Sequence, residues 1–208
     1  MKKIPELTIR RLSHYLRCME KLKEEGEEFV QSRDLAKYCK ISDSLVRRDL
    51  SYFGEFGVKG KGYSIENLSQ NIKQILGLEK NRNVILAGVG KIGTALIYFP
   101  FEKFNFRIVA AFDVKPELLG KKINGIPVYH VNELESVVKT SEVSVGIIAV
   151  PEEAASYVLQ KMINSGIKGI LSFVLLRGPF PPDVYVRYIE IPSELEVLSY
   201  LIEKGGAS

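Results

Sequence analysis

Apolar residues recur at helical spacing in the first third of the chain. The stretch from Thr8 to Glu25 predicts a helix that ends at Gly26. Ser32 and Ser42 are suited to cap two shorter helices, the second of which would run over residues 43–53. Three short helices with a tight turn before the third are typical of a helix-turn-helix. The apolar positions of the first helix are Ile9, Leu12, Leu16, Met19 and Leu22.

A glycine-rich segment over residues 54–63 follows the third predicted helix. Its glycines permit a tight hairpin, and its lysines lie near the hairpin tip. A hairpin in this place predicts a wing, and therefore a winged-helix domain that binds double-stranded DNA. The tip residues are Lys59, Gly60 and Lys61, and lysines at such a tip neutralise phosphates or enter the minor groove.

The third predicted helix has an apolar side and a polar side. Leu45, Leu50 and Phe53 are expected to pack inward, while the polar side enters the major groove. One arginine would read a guanine through two hydrogen bonds and the other would grip phosphate. The alternative is a solvated arginine pair with an ion pair to Asp43 or Asp49. The residues expected to face DNA are Ser44, Arg47, Arg48 and Ser51.

From residue 84 onwards, short and continuous apolar runs alternate with helical stretches. Such runs are typical of a parallel sheet that is covered by helices on both faces. The pattern predicts an α/β fold, a Rossmann domain that follows the winged helix. A helix over 68–78 is expected to link the halves. The predicted strands are 84–87, 108–112, 143–150, 169–173 and 184–189, and the predicted helices are 91–98, 132–139, 152–164 and 193–204. The expected domain limits are 1–80, 81–192 and 193–208.

A glycine fingerprint follows the first strand of this half. A strand before it, a helix after it and Asp113 at the end of the next strand complete a dinucleotide-binding signature. Asp113 is expected to bind the adenosine ribose hydroxyls, which favours NAD(H) over NADP(H), although Lys115 tempers that preference. The alternative role for Asp113 is a helix N-cap. The fingerprint residues are Gly88, Val89, Gly90, Lys91, Ile92 and Gly93.

Two further segments are placed beside the same ligand. Val114 and Lys115 follow Asp113 directly, and Ala149, Val150 and Pro151 end the third predicted strand. Ligands of open α/β sheets bind outside the carboxyl ends of the strands. These residues are therefore expected to line the dinucleotide cleft.

The basic charge lies in the predicted DNA-binding half. Of 208 residues, 46% are hydrophobic and 26% charged, as in soluble globular proteins. Residues 1–62 hold 14 of the 29 basic residues but only 10 of the 25 acidic ones, so the formal net charge of +4 arises there. No apolar stretch of about eighteen residues exists, which predicts no membrane association and a cytoplasmic location.

The two cysteines are expected to be buried thiols. Cys18 and Cys39 lie in helical patterns without CxxC spacing or a histidine at metal-ligand spacing. A disulfide and a metal site are both disfavoured by this pattern. The sequence analysis therefore predicts no bound metal.

Two other functions are weighed against DNA binding with a nucleotide effector. A dehydrogenase usually needs a general acid or base, but the only histidines are His14, in the first helix, and His130, in a predicted turn. Little chain remains for a substrate domain, so the nucleotide is expected to be a signal and the protein not an enzyme. A module related to the CoA-binding fold would bind CoA better than NADH and would not need Asp113.

Segments such as Val46–Gly57, Gly60–Tyr63 and Ala111–Val114, together with the fingerprint, resemble those of the Rex family of redox-sensing transcriptional repressors, and the resemblance extends over nearly the full chain. This resemblance implies a homodimer that binds a palindromic operator and leaves it when NADH rises relative to NAD+, with both nucleotides as bound effectors. It also implies that the terminal helix, 193–204, is swapped to lie against the partner's two domains. The matching segments are Ile4-Pro5, Tyr15–Arg17, Val46–Gly57, Gly60–Tyr63, the fingerprint, Ala111–Val114, Gly166–Ile170 and Leu198–Tyr200.

The resemblance assigns three residues to the switch between states. Arg17 matches a family arginine at the contact between domains, and Glu190 stands where the family usually has an aspartate that pairs with it. Phe99 replaces a tyrosine close to the nicotinamide. The run Ser172, Phe173, Val174 and Leu175 replaces the usual Asn-Phe-Ala-Pro at the same pocket. These departures affect the sensing chemistry and predict that NAD(H) and DNA binding are kept more faithfully than the redox preference.

Overall fold

The chain forms two compact units that divide between Lys80 and Asn81. They are seen in a computed structural model of the protein that describes residues 4–58 and 60–205. Lys59, which is predicted at the tip of the wing, lies outside the described residues. Within the described ranges, no helix is long and apolar enough to cross a membrane.

Four helices and a small antiparallel sheet make up the N-terminal unit. The strand order is β1-β3-β2. The predicted helix-turn-helix and its hairpin are confirmed, and the pairing of the hairpin with β1 is an addition that the sequence did not predict. The helices are α1 (Glu6–Glu24), α2 (Ser32–Tyr38), α3 (Asp43–Ser51) and α4 (Ile65–Ile75), and the strands are β1 (Phe29–Val30), β2 (Gly57–Val58) and β3 (Gly62–Ser64).

Helix α4 corrects the prediction of a linking helix over 68–78. It begins at Ile65 and packs against α1 inside the N-terminal unit. Ser64 caps it, because the Ser64 hydroxyl accepts a hydrogen bond from the amide of Asn67 at 3.4 Å. Leu68 and Ile72 are buried. The helix therefore contributes to the core of this unit.

The buried side of α3 consists of Val46, Asp49 and Leu50. Residues spaced three and four apart lie on one face of a helix, which explains this grouping. Leu45 and Phe53, which are predicted to pack inward, are only partly buried because they flank that face. The inward side of α3 thus includes a carboxylate.

Asp49 is fully buried and is held by three side chains of α1. Arg11 donates from Nη2 to Oδ1 at 2.8 Å and from Nε to Oδ2. Thr8 Oγ1 donates to Oδ1 at 3.0 Å, and Tyr15 Oη donates to Oδ2 at 2.8 Å. Burial alone would raise the pKa of Asp49, but the hydrogen bonds from Arg11, Tyr15 and Thr8 outweigh it and hold the pKa below its usual range. An ion pair between the buried Asp49 and the partly buried Arg11 therefore joins α3 to α1.

The two cysteines are paired, which corrects the prediction of free thiols. Cys18 lies on α1 and Cys39 follows the last residue of α2, with their Cα atoms 6.0 Å apart. This separation fits a disulfide, and the described residues contain no free cysteine. The sequence pattern missed the pair because the contact depends on how α1 packs against α2.

A seven-stranded sheet with helices forms the C-terminal unit. Its strand order is β10-β9-β8-β4-β5-β7-β6, and neighbours are parallel except for β6 and β7. The six parallel strands have the order of a doubly wound Rossmann sheet, so the predicted fold is confirmed. The strands are β4 (Arg82–Ala87), β5 (Phe106–Asp113), β6 (Lys122–Ile123), β7 (Ile126–His130), β8 (Val145–Ile148), β9 (Gly169–Ser172) and β10 (Tyr185–Tyr188). The helices are α5 (Lys91–Tyr98), α6 (Leu134–Ser141), α7 (Glu152–Asn164) and α8 (Ile191–Glu203).

Two strands of this sheet were not predicted. The sequence analysis places His130 in a turn, whereas it ends β7 and pairs in register with Asp113 of β5. The antiparallel hairpin of β6 and β7 turns through Asn124 and Gly125, both at positive φ. Pro127 within β7 weakens the strand signal in the sequence, which accounts for the omission.

We predict that Asp49→Asn destabilises the N-terminal unit by about 3 kcal/mol, because it leaves the partly buried Arg11 without its counter-charge. In the wild type, the Asp49 carboxylate contributes its full share of the free energy of unfolding above the ordinary carboxyl pKa of about 4. This share is lost as the pH falls through the lower pKa of Asp49 in the folded protein. Urea unfolding followed by circular dichroism at several pH values measures both effects. Asp34→Asn, at an exposed carboxylate of α2, is the control and should cost less than about 1 kcal/mol. Equal losses for the two variants would contradict the prediction.

Candidate dinucleotide and DNA-binding sites

Two of the fingerprint glycines are required by the fold itself. Gly88 has φ +95°, a conformation that favours glycine, and a Cβ at this position would clash with the carbonyl oxygen of Ala149. A Cβ at Gly93 would clash with the carbonyl oxygen of Gly88. Helix α5 therefore packs directly on the loop that precedes it, and this loop runs close to the end of β8.

Gly90 is not explained by packing. Its φ is −78°, which any residue adopts, and a Cβ at this position would meet no atom within 4 Å. The residue is exposed and lies at the N-cap of α5, where the first helical amides have no acceptor inside the helix. Such amides together with the helix dipole bind phosphate groups. The open space in front of Gly90 is thus a candidate site for the pyrophosphate of a dinucleotide.

Asp113 anchors the glycine loop to the end of β5. Its Oδ2 accepts a hydrogen bond from the amide of Val89 at 2.7 Å. Its Oδ1 accepts hydrogen bonds from the amides of Val114 at 2.8 Å and Lys115 at 3.0 Å. The alternative role as a helix N-cap is wrong, because a turn and not a helix follows Asp113. A carboxylate oxygen accepts more than one hydrogen bond, so this anchoring leaves acceptor capacity for a ribose.

The predicted cofactor residues lie along one edge of the sheet, at the carboxyl ends of its strands. The amide of Gly88 donates to the carbonyl of Phe112 at 2.8 Å, and the amide of Ala149 donates to that of Ala87 at 2.8 Å. Phe173 follows β9, and its amide donates to the carbonyl of Ile148 at 3.0 Å. The ends of β4, β5, β8 and β9 are therefore joined by hydrogen bonds. The residues at this edge are Gly88–Gly93, Asp113–Lys115, Ala149–Pro151 and Phe173.

Of the predicted switch residues in this unit, Glu190 lies at this edge because it follows the carboxyl end of β10, whereas Phe99 does not. Phe99 follows the carboxyl end of α5, opposite to the glycine loop, and its ring lies 4.7 Å from that of Phe101. Arg17 lies on α1 in the N-terminal unit and forms an ion pair with Glu20 at 2.9 Å. Glu190 is exposed and immediately precedes α8 in the other unit. The predicted pairing of Arg17 with Glu190 remains a prediction.

The altered run after β9 has a structural role of its own. Ser172 is buried, and its hydroxyl donates to the carbonyl of Val174 at 2.7 Å and accepts from the amide of Val174 at 3.2 Å. Val174 packs against the core, while Leu175 is exposed. This serine therefore closes a tight turn that fixes the backbone next to Phe173.

His130 is occupied in a structural contact. Its Nδ1 accepts a hydrogen bond from the amide of Asn132 at 3.2 Å, and its own amide donates to Glu133 Oε1 at 2.9 Å. The two contacts form a capping box for the short 3-10 helix over residues 131–133. His130 therefore has a structural role at the end of β7, although it does not lie in a turn as predicted.

The polar side of α3 is open to solvent. Ser44, Arg47, Arg48 and Ser51 are all exposed. Arg47 pairs with Asp43 at 2.5 Å, which agrees with the predicted alternative of a local ion pair. The other carboxylate of that alternative, Asp49, is bound by Arg11 of α1 instead. Among the residues that the structure describes, no carboxylate lies within ion-pair distance of Arg48. Arg48 is therefore a charged side chain of this surface that is ready for an anionic partner.

The wing places a second cation beside the same helix-turn-helix. Gly60 and Lys61 are exposed at the turn between β2 and β3. The Lys61 ammonium lies 5.5 Å from the centre of the Phe29 ring, so β1 supports it through a cation–π contact. A Cβ at Gly62 would lie 2.6 Å from the carbonyl oxygen of Val30, which explains the glycine at the base of the hairpin.

The residues that position α3 are not among the predicted site residues. Asp49, Arg11 and Tyr15 do not face solvent as a DNA contact would, yet they hold the helix that does. The signal was available, since Asp49 stands at helical spacing between the apolar residues Val46 and Leu50. A charged residue on an apolar helix face indicates a buried partner.

Comparison with known proteins gives matches for both units. The family model "Putative DNA-binding protein N-terminus" matches residues 3–51, and the model "CoA binding domain" matches residues 79–175. A curated relative from Syntrophobacter fumaroxidans, named redox-sensing transcriptional repressor Rex, is 40% identical over 98% of this chain and 98% of its own. A Rex from Listeria welshimeri is also 40% identical, over 97% of this chain and 94% of its own. These relatives are named as repressors and not as enzymes.

Solved structures give the same result. The crystal structure of RSP in complex with β-NAD+ and operator DNA has a TM-score of 0.90, at 32% identity, and covers 98% of this chain and 94% of its own. RSP in complex with β-NADH has a TM-score of 0.87, at 31% identity over 98% of this chain and 96% of its own. RSP is described as a Rex-family repressor. By sequence identity over nearly its whole length and by fold, this chain belongs to the Rex family of redox-sensing transcriptional repressors.

Proposed function

We propose that this protein is a cytoplasmic repressor that binds palindromic operator DNA as a homodimer and leaves it when the NADH to NAD+ ratio rises. The proposal rests on a combination of two sites in one chain: an exposed arginine surface on α3 and an open glycine loop at the edge of a Rossmann sheet. The solved structures of RSP with operator DNA and β-NAD+, and with β-NADH, support operator DNA and both nucleotides as the ligands of this protein.

The DNA-binding surface joins α3 and the wing. A helix of this size fits the major groove, where an arginine fork recognises guanine O6 and N7. Arg48 is free for this contact, whereas Arg47 must first leave Asp43. Lys61 would neutralise backbone phosphate, and the basic charge of residues 1–62 favours an anionic partner. The proposed contacts are Ser44, Arg47, Arg48, Ser51, Lys59, Gly60 and Lys61.

The open space at Gly90 is the observation that carries the nucleotide site. The packing of the fold does not require a glycine at this position. A pyrophosphate that lies on the backbone at the N-terminus of α5 would require one. Asp113 lies one strand away, where the adenosine ribose of a dinucleotide binds. The proposed cofactor contacts are Gly88–Gly93, Asp113, Val114, Lys115, Ala149–Pro151 and Phe173.

Helix α8 supports the homodimer. None of its residues is buried, and seven of its large hydrophobic side chains are at least 44% exposed. Isolated subunits rarely leave an apolar surface of this kind in water. A second copy of the chain would cover it, and exchange of α8 between copies, as the family resemblance implies, is our proposal. The exposed residues are Ile191, Leu195, Val197, Leu198, Tyr200, Leu201 and Ile202.

The nucleotide acts as an effector in this proposal and is not consumed. His130 ends β7 and is used in a capping box, and the His14 imidazole contacts the carbonyl oxygen of Cys39, so each imidazole already has a structural contact. Release from DNA then depends on two arrangements of the dimer. NADH shifts the equilibrium only as far as its affinities for the two arrangements differ. Phe99, Arg17 and Glu190 are proposed to take part in this discrimination.

We predict that Arg48→Ala weakens operator binding by about tenfold to a hundredfold, because a bidentate base contact contributes about 1 to 3 kcal/mol. Fluorescence anisotropy on a labelled palindromic operator at fixed salt measures this. NADH affinity should not change. Arg107→Ala, which removes an exposed arginine from the other unit, is the control. A uniform loss on all duplexes would assign Arg48 to phosphate, and no loss at all would contradict the proposed surface.

We predict that Gly90→Ala weakens binding of both NADH and NAD+ at least about tenfold, because the new methyl group would occupy the position of the pyrophosphate. Its melting temperature and its operator affinity without nucleotide should equal those of the wild type, since the methyl group meets no protein atom. Gly93→Ala is the contrast, because its Cβ clashes with the loop and should lower stability as well. Isothermal titration calorimetry with NADH, NAD+ and CoA gives the affinities.

Unchanged NADH affinity in Gly90→Ala would contradict the proposed nucleotide site. Tighter binding of CoA than of NADH to the wild type would favour the alternative of a CoA-binding module.

A further inference from the structure

The N-terminal unit contains a cluster of redox-active side chains that is separate from the proposed nucleotide site. Cys18, Cys39 and His14 bring two sulfurs and an imidazole within 4.8 Å of one another. Neither DNA contact nor nucleotide binding uses these residues. We propose that Cys18 and Cys39 form an oxidant-responsive disulfide that strengthens operator binding, as a second redox input beside NAD(H).

The position of the pair connects it to the DNA-binding surface. Cys39 is the C-cap of α2, and Ser42, three residues later, is the N-cap of α3. Cys18 lies on α1, so the disulfide ties α1 to the turn of the helix-turn-helix. With the sulfurs paired, α3 keeps its polar side exposed. Reduction would remove one support of the turn that precedes α3, while the polar side of α3 is exposed when the sulfurs are paired.

His14 makes Cys18 the reactive partner. The His14 Nε2 lies 3.1 Å from the carbonyl oxygen of Cys39, and a carbonyl oxygen only accepts, so Nε2 carries a proton. The same nitrogen lies 3.9 Å from Cys18 Sγ, where an N–H group stabilises a thiolate. This proton also argues against a zinc site, because a metal needs the free lone pair of the imidazole.

The burial of the sulfurs restricts the oxidant to a small molecule. Cys18 and Cys39 are 5% and 4% exposed, whereas His14 is exposed. A peroxide fits this access better than a protein thiol does. The Cys18 thiolate attacks one peroxide oxygen, which breaks the O–O bond and gives a sulfenic acid and one water. The Cys39 sulfur then attacks Cys18, which forms the S–S bond and releases a second water. Two electrons pass from the sulfurs to the peroxide, and the two thiol protons end in the waters.

The test compares reduced and hydrogen peroxide-treated full-length wild type, without nucleotide. Intact mass and thiol titration should show the loss of two hydrogens and two thiols. The melting temperature of the N-terminal unit should rise by about 10 °C, as a disulfide that closes a loop of this size predicts. Operator affinity should rise at least about threefold. Cys18→Ser/Cys39→Ser should show none of these changes, and His14→Ala should slow oxidation at least about threefold.

Three results would overturn the proposal. In the first, peroxide leaves the thiols free or drives them to sulfinic acids. In the second, the disulfide forms without any change in operator affinity and is only a structural support. In the third, the reduced protein binds one zinc ion per chain and peroxide releases it. Only the operator readout rests on the proposed function. If neither redox state binds operator, that function fails, while bond formation and melting temperature still decide whether the thiols pair.

Discussion

The close approach of the glycine loop to the ends of β5 and β8 determines how the C-terminal unit can act. The loop has no room for a side chain at Gly88 or Gly93, and the Asp113 carboxylate holds its backbone at Val89. These contacts fix the N-terminus of α5 so that its first amides point to the open space at Gly90. A preformed site of this kind spends little free energy on ordering when a phosphate binds. The rest of the proposed cleft is built on the same edge.

A different constraint organises the N-terminal unit. Asp49 takes α3 into the core through a partly buried ion pair with Arg11, while the adjacent Arg48 stays exposed. Because a buried charge pair depends on accurate geometry, it fixes the position of α3 more strictly than apolar packing alone. The disulfide between Cys18 and Cys39 adds a covalent connection between α1 and the turn that joins α2 to α3. Both devices act on the orientation of the surface that is proposed to meet DNA.

The sequence predicted features that depend on local pattern and failed where contacts are distant. The order of strands and helices, the limits of α5 and α7, and the roles of Gly88 and Gly93 in the loop follow from periodicity and from the fingerprint. The partners of Asp49 and the pairing of Cys18 with Cys39 do not, because they join residues 21 to 41 positions apart through the packing of α1. Strand β7 was missed because Pro127 interrupts its pattern. Family resemblance added the switch residues Arg17, Phe99 and Glu190, whose roles remain predictions.

The coupling proposed between the two sites makes operator binding depend on whether the nucleotide is reduced or oxidised. The measurement that tests it is the fluorescence anisotropy of a labelled palindromic operator with wild-type protein, titrated separately with NADH and NAD+. Salt must be constant, because phosphate contacts make operator affinity steeply dependent on it. We expect NADH to release the operator at concentrations at which the protein stays bound to it in the NAD+ titration. Equal release by both nucleotides, or no release by either, would contradict redox sensing by this chain. The departures from the family pattern at Phe99 and Glu190 would then explain equal release.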